Sequence, residues 1–377
     1  MSVPATPLPS LPFVPVGENP VQVFGLDART RALRLAAKAG LTAADHARPG
    51  QSAILAGLGY TWDPAWLKAV AARPGTVLTL GERIVLAHVA PHQDPAPVAA
   101  AMESGAPLDF GGFERMEAET AELSYAELRK RDRPFVLPLT EGNARTVEKA
   151  AYDASYKGVT DALTLYLWRG LAFHLTRWAA RIGMTPNQVT LIGAALCVAT
   201  FFLFMGGHYW WGMATGFGFM VLDTVDGKLA RCTGQSSWWG NIFDHGIDLV
   251  HPPFWWWAWA EGLNYHNDPF ERVYEVLIVA AIVAGYVAQR FIEGIFMRRY
   301  GMHIHVWQRV DSRFRLVTAR RNPNMIILLA SLIFKRPDMG LELVALWTMI
   351  SLIFHAVRLA QANARMERGA KLASWLA

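Results

Sequence analysis

The amino-acid sequence predicts an α-helical integral membrane protein with six transmembrane helices, preceded by a small cytoplasmic α/β domain. Three observations carry that expectation. Of the 377 residues, 53% are hydrophobic, and they crowd into the C-terminal part, so two units describe the chain better than one soluble core. From Asn187 onward, apolar segments approach the roughly 20 residues that a helix needs to cross a bilayer. Between about 20 and 90, short apolar runs instead alternate with helical patterns, the order expected of an α/β unit with a partly parallel sheet.

Residues 1–19 form a proline-rich lead-in, "MSVPATPLPSLPFVPVGEN". It lacks the basic, apolar and small-residue succession of a signal peptide and is expected to be poorly ordered. Residues 20–140 are assigned to the α/β domain through "VQVFGL", "ARTRALRLAAKAG", "SAILAGL", "DPAWLKAVAA", "TVLTL" and "RIVLAHV". After them, "RMEAETAELSYAELRKRD" reads as a charged surface helix or linker. Residues 141–186 are read as a linker with interfacial amphipathic helices, because "DALTLYLWRGLAFHLTRWAARIG" mixes Arg169, His174, Arg177 and Arg181 with aromatic and apolar side chains. Residues 187–365 hold the six predicted spans, at about 187–206, 209–231, 240–262, 272–297, 321–336 and 339–361, and 366–377 form a tail. The fifth span is the shortest.

The net charge of +5 and pI near 9.2 point to a membrane surface rather than nucleic acid, since the basic residues lie between apolar runs and not in a patch with stacking aromatics. Cys197 and Cys232 offer neither a disulfide framework nor zinc-ligand spacing, which suits a reducing compartment. With both termini in the cytoplasm, Lys228, Arg231, the loop "RRYGMHIHVWQRVDSRFRLVTARR" and the tail after Arg358 fall inside, as the positive-inside rule requires. Lys335 and Arg336 are exceptions. The expected location is the cytoplasmic (inner) membrane, with "YWW" and "FWWWAW" as interfacial belts.

The stretch "VLDTVDGKLARCTGQSSWWGNIFDHGIDLVHPP" places four aspartates in two otherwise apolar helices. Asp223 and Asp226 are three apart and Asp244 and Asp248 four apart, so each pair shares one helix face. Gly240 extends the second stripe. A tight turn lets both faces converge near the inner membrane surface. Helix capping, or pairing with Lys228 and Arg231, accounts for one or two of these carboxylates but not for four crowded together, whose mutual repulsion a hard, oxygen-seeking cation relieves. Magnesium or manganese fits. Gly227 and Ala230 leave a notch beside the acidic face, and Arg231 is placed to meet a phosphate.

The full pattern D-x2-D-G-x2-A-R-x8-G-x3-D-x3-D resembles the signature of the CDP-alcohol phosphotransferase (CDP-alcohol phosphatidyltransferase) family. Eight fixed positions arise by chance at about 10^-10 per start site. The resemblance reaches upstream to "TPNQVT" and covers about 150 to 362. It implies that Asp223, Asp226 and Asp244 hold two divalent ions, and that Asp248 is the general base and also touches metal. It further implies that Asn187, Thr190, Gly227, Ala230, Arg231 and Ser237 contact the cytidine nucleotide. The implied activity is that of a transferase of phospholipid biosynthesis and a homodimer. A polar alcohol, such as inositol or inositol phosphate, attacks a CDP-alcohol such as CDP-diacylglycerol, and CMP leaves. A soluble CDP-inositol donor is the alternative within the same chemistry. A divalent-cation transporter or channel is the alternative outside it, because intramembrane carboxylates also line ion paths.

Some family members carry an N-terminal nucleotidyltransferase domain, which the α/β pattern weakly resembles. "VFGLDARTRA" has one glycine and no glycine-rich loop, so the domain is expected to be degenerate and without chemistry of its own. Arg290, Arg321 and Arg358 stand at the expected cytoplasmic ends of the last three spans, where family members place basic residues for a phosphorylated acceptor; positive-inside anchoring is the plainer account. His303 and His305 are read as loop residues, and His245 lies within reach of the acidic stripe.

Overall fold

Three helices of the N-terminal part start on an aspartate. Asp27 opens α1 (Ala28–Lys38), Asp63 opens α2 (Pro64–Ala71) and Asp94 opens α3 (Pro95–Ser104), each side chain accepting from a backbone N–H of the first turn. Proline at the first helical position of α2 and α3 pre-sets φ where no intrahelical N–H is needed. Here the fold is a computed structural model that describes residues 11–106, 112–121, 133–156, 158–235, 238–266 and 270–376.

The strands are β1 (Pro12–Val16), β2 (Thr42–Ala43), β3 (Ala53–Gly57), β4 (Tyr60–Trp62), β5 (Thr76–Leu80), β6 (Arg83–Val89), β7 (Glu114–Glu117) and β8 (Val136–Pro138). Six of them form a sheet in the order β2-β1-β3-β6-β5-β7, and β4 pairs with β8. The sheet is mixed: β1 runs parallel to β2 and β3, β6 is antiparallel to β3 and β5, and β5 is parallel to β7. Every residue of β3 is buried, as for a strand covered on both faces.

Two local expectations are corrected. Residues 12–16 are expected in a disordered lead-in, yet "PFVPV" is a strand inside the sheet, with Phe13 fully buried opposite Ile54; Pro12 is its first residue, and Pro15 lies beyond the last pair with β2, Phe13–Ala43. "VQVFGL" is not a strand. Phe24 and Gly25 both have positive φ, 52° and 71°, and the segment folds into a tight turn closed by the Val23–Leu26 bridge. Of the charged stretch 115–132, residues 115–117 belong to β7, and 122–132 lie outside the described residues.

Next come α4 (Ala144–Ala154), a π-turn over Leu163–Leu167 and α5 (Trp168–Arg181). Then follow α6 (Pro186–Met205), α7 (Tyr209–Thr233), α8 (Trp238–Gly262), α9 (Arg272–Tyr300), α10 (Arg309–Arg315), α11 (Arg321–Ile333) and α12 (Pro337–Glu367). The start of α6 is a capping box, Thr185 with Gln188, with Pro186 at its first position. Gly234 and Gly301, both left-handed, end α7 and α9. Large apolar side chains such as Leu191, Phe202, Phe291 and Ile353 stand exposed on the outer helix faces, which is costly in water and favourable in lipid. Among the described residues α6, α9 and α12 are long and apolar enough to cross a membrane. The fifth helix is shorter than the expected 321–336: α11 ends at Ile333, and Lys335 turns the chain with φ 57°. Thirteen residues rise about 20 Å, less than a hydrocarbon core of about 30 Å.

One apolar core runs from the sheet into the helices, from Phe13 and Trp66 through Phe173 to Met220 and Val344. Glu148 of α4 fastens the two parts. It accepts from the Phe24 amide at 3.0 Å and pairs with Arg177 of α5.

Candidate active site

A cavity of about 1060 Å³ opens where the ends of α7, α8, α9 and α11 meet. Asp223 and Asp226 of α7 and Asp248 of α8 line it, together with Asn187 and Thr190 at the start of α6. Gly227, Ala230, Arg231 and Gly240 line it as well. The helical spacing read from the sequence thus brings these residues together. Asp244 lies on α8, but its side chain and that of His245 are outside the described ones, and Ser237 is outside the described residues.

The geometry gives each group a partner. Thr190 Oγ1 donates to Asp226 Oδ2 at 2.6 Å and so aims that carboxylate. A Cβ on Gly227 would lie 2.9 Å from the Arg231 guanidinium, so the glycine makes room for the arginine. Pro252 and Pro253 sit inside α8, where their missing N–H groups release the carbonyls four residues earlier, those of Asp248 and Leu249. Tyr286 of α9 donates to the Leu249 carbonyl at 3.1 Å, which braces the backbone beside Asp248.

Arg321, one of the expected acceptor residues, lines the cavity. Its guanidinium forks across the aspartates, Nη2 to Asp223 at 2.8 Å and Nη1 to Asp248 at 2.6 Å. Arg358 stands elsewhere. It is buried, pairs with Asp311 at 2.6 and 2.9 Å, is held by Gln308 and lies over Trp307, and it does not line the cavity. Such a site is a structural tie between α10 and α12. Arg290 does line the cavity, pairing with Glu293 at 3.2 Å.

Sequence reasoning missed the wall beyond Arg290. Glu293 accepts from Arg320 at 2.6 Å and lies 3.2 Å from His305, while Arg315 lines the same side. An acidic residue near the end of an apolar helix was the available signal. Glu293, His305 and His355 offer ligand atoms within 4.8 Å of one another, but two guanidiniums already engage Glu293 and would repel a cation. Burial, with Arg320 and Arg315 nearby, holds the His305 ring well below the ordinary histidine range despite Glu293. Burial and Arg320 likewise pull the Arg315 guanidinium down to about 9. Asp161, also on the cavity wall, accepts from Asn322 at 2.9 Å. Burial alone would raise its carboxyl, but Arg315, Asn322 and Thr164 hold it below the usual range. The cavity wall therefore joins the motif aspartates to a cluster of guanidiniums, Arg290, Arg315, Arg320 and Arg321.

Residues 183–357 match the CDP-alcohol phosphatidyltransferase family. That match covers a little under half of the chain and includes the whole aspartate motif. Seven of the eight motif residues, Asp223, Asp226, Gly227, Ala230, Arg231, Gly240 and Asp248, line the cavity. The chain is 29% identical over 128 residues to human cholinephosphotransferase 1, an overlap of 31% of this chain and 30% of that protein. It is 39% identical over 80 residues to the phosphatidylinositol phosphate synthase of Streptomyces avermitilis, covering 20% of this chain and 33% of the relative. The matches thus span about a third of these curated relatives. Among solved structures, the phosphatidylinositol phosphate synthase of Mycobacterium tuberculosis with CDP-DAG bound is similar at a TM-score of 0.40 and 18% identity, over 50% of this chain and 94% of that one. The same enzyme in complex with manganese and citrate gives 0.40 and 19%, over 50% and 88%.

Proposed function

We propose that the protein is a metal-dependent CDP-alcohol phosphotransferase, embedded in the membrane through α6, α7, α8, α9, α11 and α12 with its cavity facing the cytoplasm. It transfers a substituted phosphate from a CDP-alcohol to the hydroxyl of a phosphorylated polyol such as inositol phosphate, in phospholipid biosynthesis. The observation that carries this reading is a single cavity lined both by motif aspartates and expected nucleotide positions and by Arg290, Arg315 and Arg320. Guanidiniums suit a phosphate and repel a cationic alcohol.

Asp223, Asp226 and Asp248 present only carboxylate oxygens, the donor set that magnesium or manganese prefers, and the Arg321 fork marks where their charge is already being neutralised. These residues, with Asp244, would hold the ions. When bound, two such ions neutralise a pyrophosphate and stabilise charge on the departing phosphate. Thr190 keeps Asp226 oriented, and Arg231 in the Gly227 notch receives the nucleotide side of the donor. The arginine wall seats the acceptor's own phosphate. Asp248 takes the proton of the acceptor hydroxyl as its oxygen attacks the phosphorus bearing the donor's alcohol; the bond from that phosphorus to the CMP oxygen breaks, and CMP leaves with the electron pair.

The test is CMP release by the purified full-length protein against a panel of donors, including CDP-diacylglycerol and CDP-inositol, and of free and phosphorylated polyols. Release should require magnesium or manganese, stop in EDTA, return with either metal and be fastest with a phosphorylated acceptor. Full turnover in chelator, or no release with any pair, overturns the reading.

A further inference from the structure

The N-terminal domain reaches the donor side of the cavity through α1. At Gly234, the left-handed residue that ends α7, a Cβ would lie 2.9 Å from Arg34 Cβ, so the two elements touch at backbone distance. One turn before Arg34, Arg31 is buried and donates to Thr61 at 2.6 Å, which anchors the helix from its own domain. One turn after it, Lys38 is the last residue of α1 and lines the same cavity as Asn187, Gly227, Arg231 and Gln235.

Lys38 is exposed, and among the described residues no ion pair holds it. Desolvation, then the charges of Arg231 and Lys68, keep its ammonium below the ordinary lysine range. A cation held beside another cation gains from the arrival of an anion between them. Lys38 lies well outside residues 183–357, the part matched to the family.

We propose that Lys38 is a donor-binding residue that contacts a phosphate of the CDP group, so that the N-terminal domain completes the donor site while doing no chemistry itself. This inference rests on the proposed use of a CDP-alcohol.

The test uses the full-length protein and three substitutions, Lys38→Ala, Lys38→Glu and Lys38→Arg. CMP affinity is measured by calorimetry with magnesium present, and KM for the CDP-alcohol and kcat are measured separately. Lys38→Ala should weaken CMP binding and raise the donor KM by about 10-fold, the scale of one hydrogen bond to a charged group, with kcat and acceptor KM nearly unchanged. Lys38→Glu should be worse, and Lys38→Arg should restore most of the affinity. A wild type that binds CMP, with Lys38→Ala and Lys38→Glu equal to it, overturns the inference alone. A wild type that binds no CMP overturns the donor reading and this inference together.

Discussion

Asp248 and Asp226 share a cavity but sit in different company, and that difference separates their roles. Asp226 is buried and fixed by Thr190, whereas Asp248 is more open and faces the Arg321 fork. Asp248→Asn should lower CMP release by about 10^2 to 10^4, the usual contribution of a positioned base, while CMP binding largely persists. Asp226→Ala should reduce binding and turnover together. Kinetics and direct CMP binding on both variants decide it; lost binding with near-normal turnover in Asp248→Asn would make Asp248 a positioning ligand. Arg358 allows the opposite check. Breaking its buried pair with Asp311 should cost about 3–5 kcal/mol of stability, so Arg358→Ala should melt well below the wild type, while the acceptor KM of the folded fraction stays unchanged. The sequence could place Arg358 at a helix end but could not reveal that Asp311, 47 residues away, had already claimed it.

At the scale of elements, the aspartate positions follow from helix periodicity alone, whereas the bracing around them depends on which helices become neighbours. Pro252 and Pro253 loosen the α8 ladder beside Asp248, and the Tyr286 hydroxyl from α9 takes up a freed carbonyl. Helix ends at the far side of the bundle are set by close approach. A Cβ on Gly262 would lie 2.1 Å from the Phe204 carbonyl oxygen and 2.9 Å from the Tyr209 hydroxyl, which itself donates to Trp259 O at 2.7 Å. A backbone oxygen cannot swing aside as a side chain can. Gly262→Ala should therefore shift the end of α6 against α8 and destabilise by about 1–3 kcal/mol, read as a lower apparent melting temperature in detergent; an unchanged melt would show that this contact is slack.

Across the whole molecule, the sheet and the helical bundle share one core, so the stability of the N-terminal domain bears on the rest of the chain. His88 on β6 is buried, with Nδ1 3.1 Å from the Val70 carbonyl and Nε2 2.9 Å from Ser52 Oγ. Burial holds its ring below the usual 6.5, so the folded domain keeps it neutral. Below that pH the unfolded chain takes up a proton that the folded chain refuses, and stability falls with pH until the folded value is reached. His305 contributes with the same sign. Stability should thus fall between pH 7 and pH 5, by up to about 1.4 kcal/mol per pH unit for each ring, read as a lower melting temperature, and His88→Gln should flatten that slope. A slope equal to the wild type's in His88→Gln would remove His88 from the account.

What the sequence determined by itself is the chemistry-bearing pattern: period 3.6 puts Asp223 with Asp226 and Asp244 with Asp248 on single faces, and long apolar runs mark the helices that carry them. Those are local consequences of spacing, legible without neighbours. The tertiary structure decided what spacing cannot encode. It drew Pro12–Val16 into the sheet, because strand pairing satisfies backbone groups that a proline-rich tail would leave to water. It set Arg321 across two aspartates and Arg358 on Asp311, gathered Glu293, His305, Arg315 and Arg320 into the cavity wall, and brought Lys38 to the cavity rim. Most of those juxtapositions join residues far apart along the chain, and only the packing of one element against another brings them together.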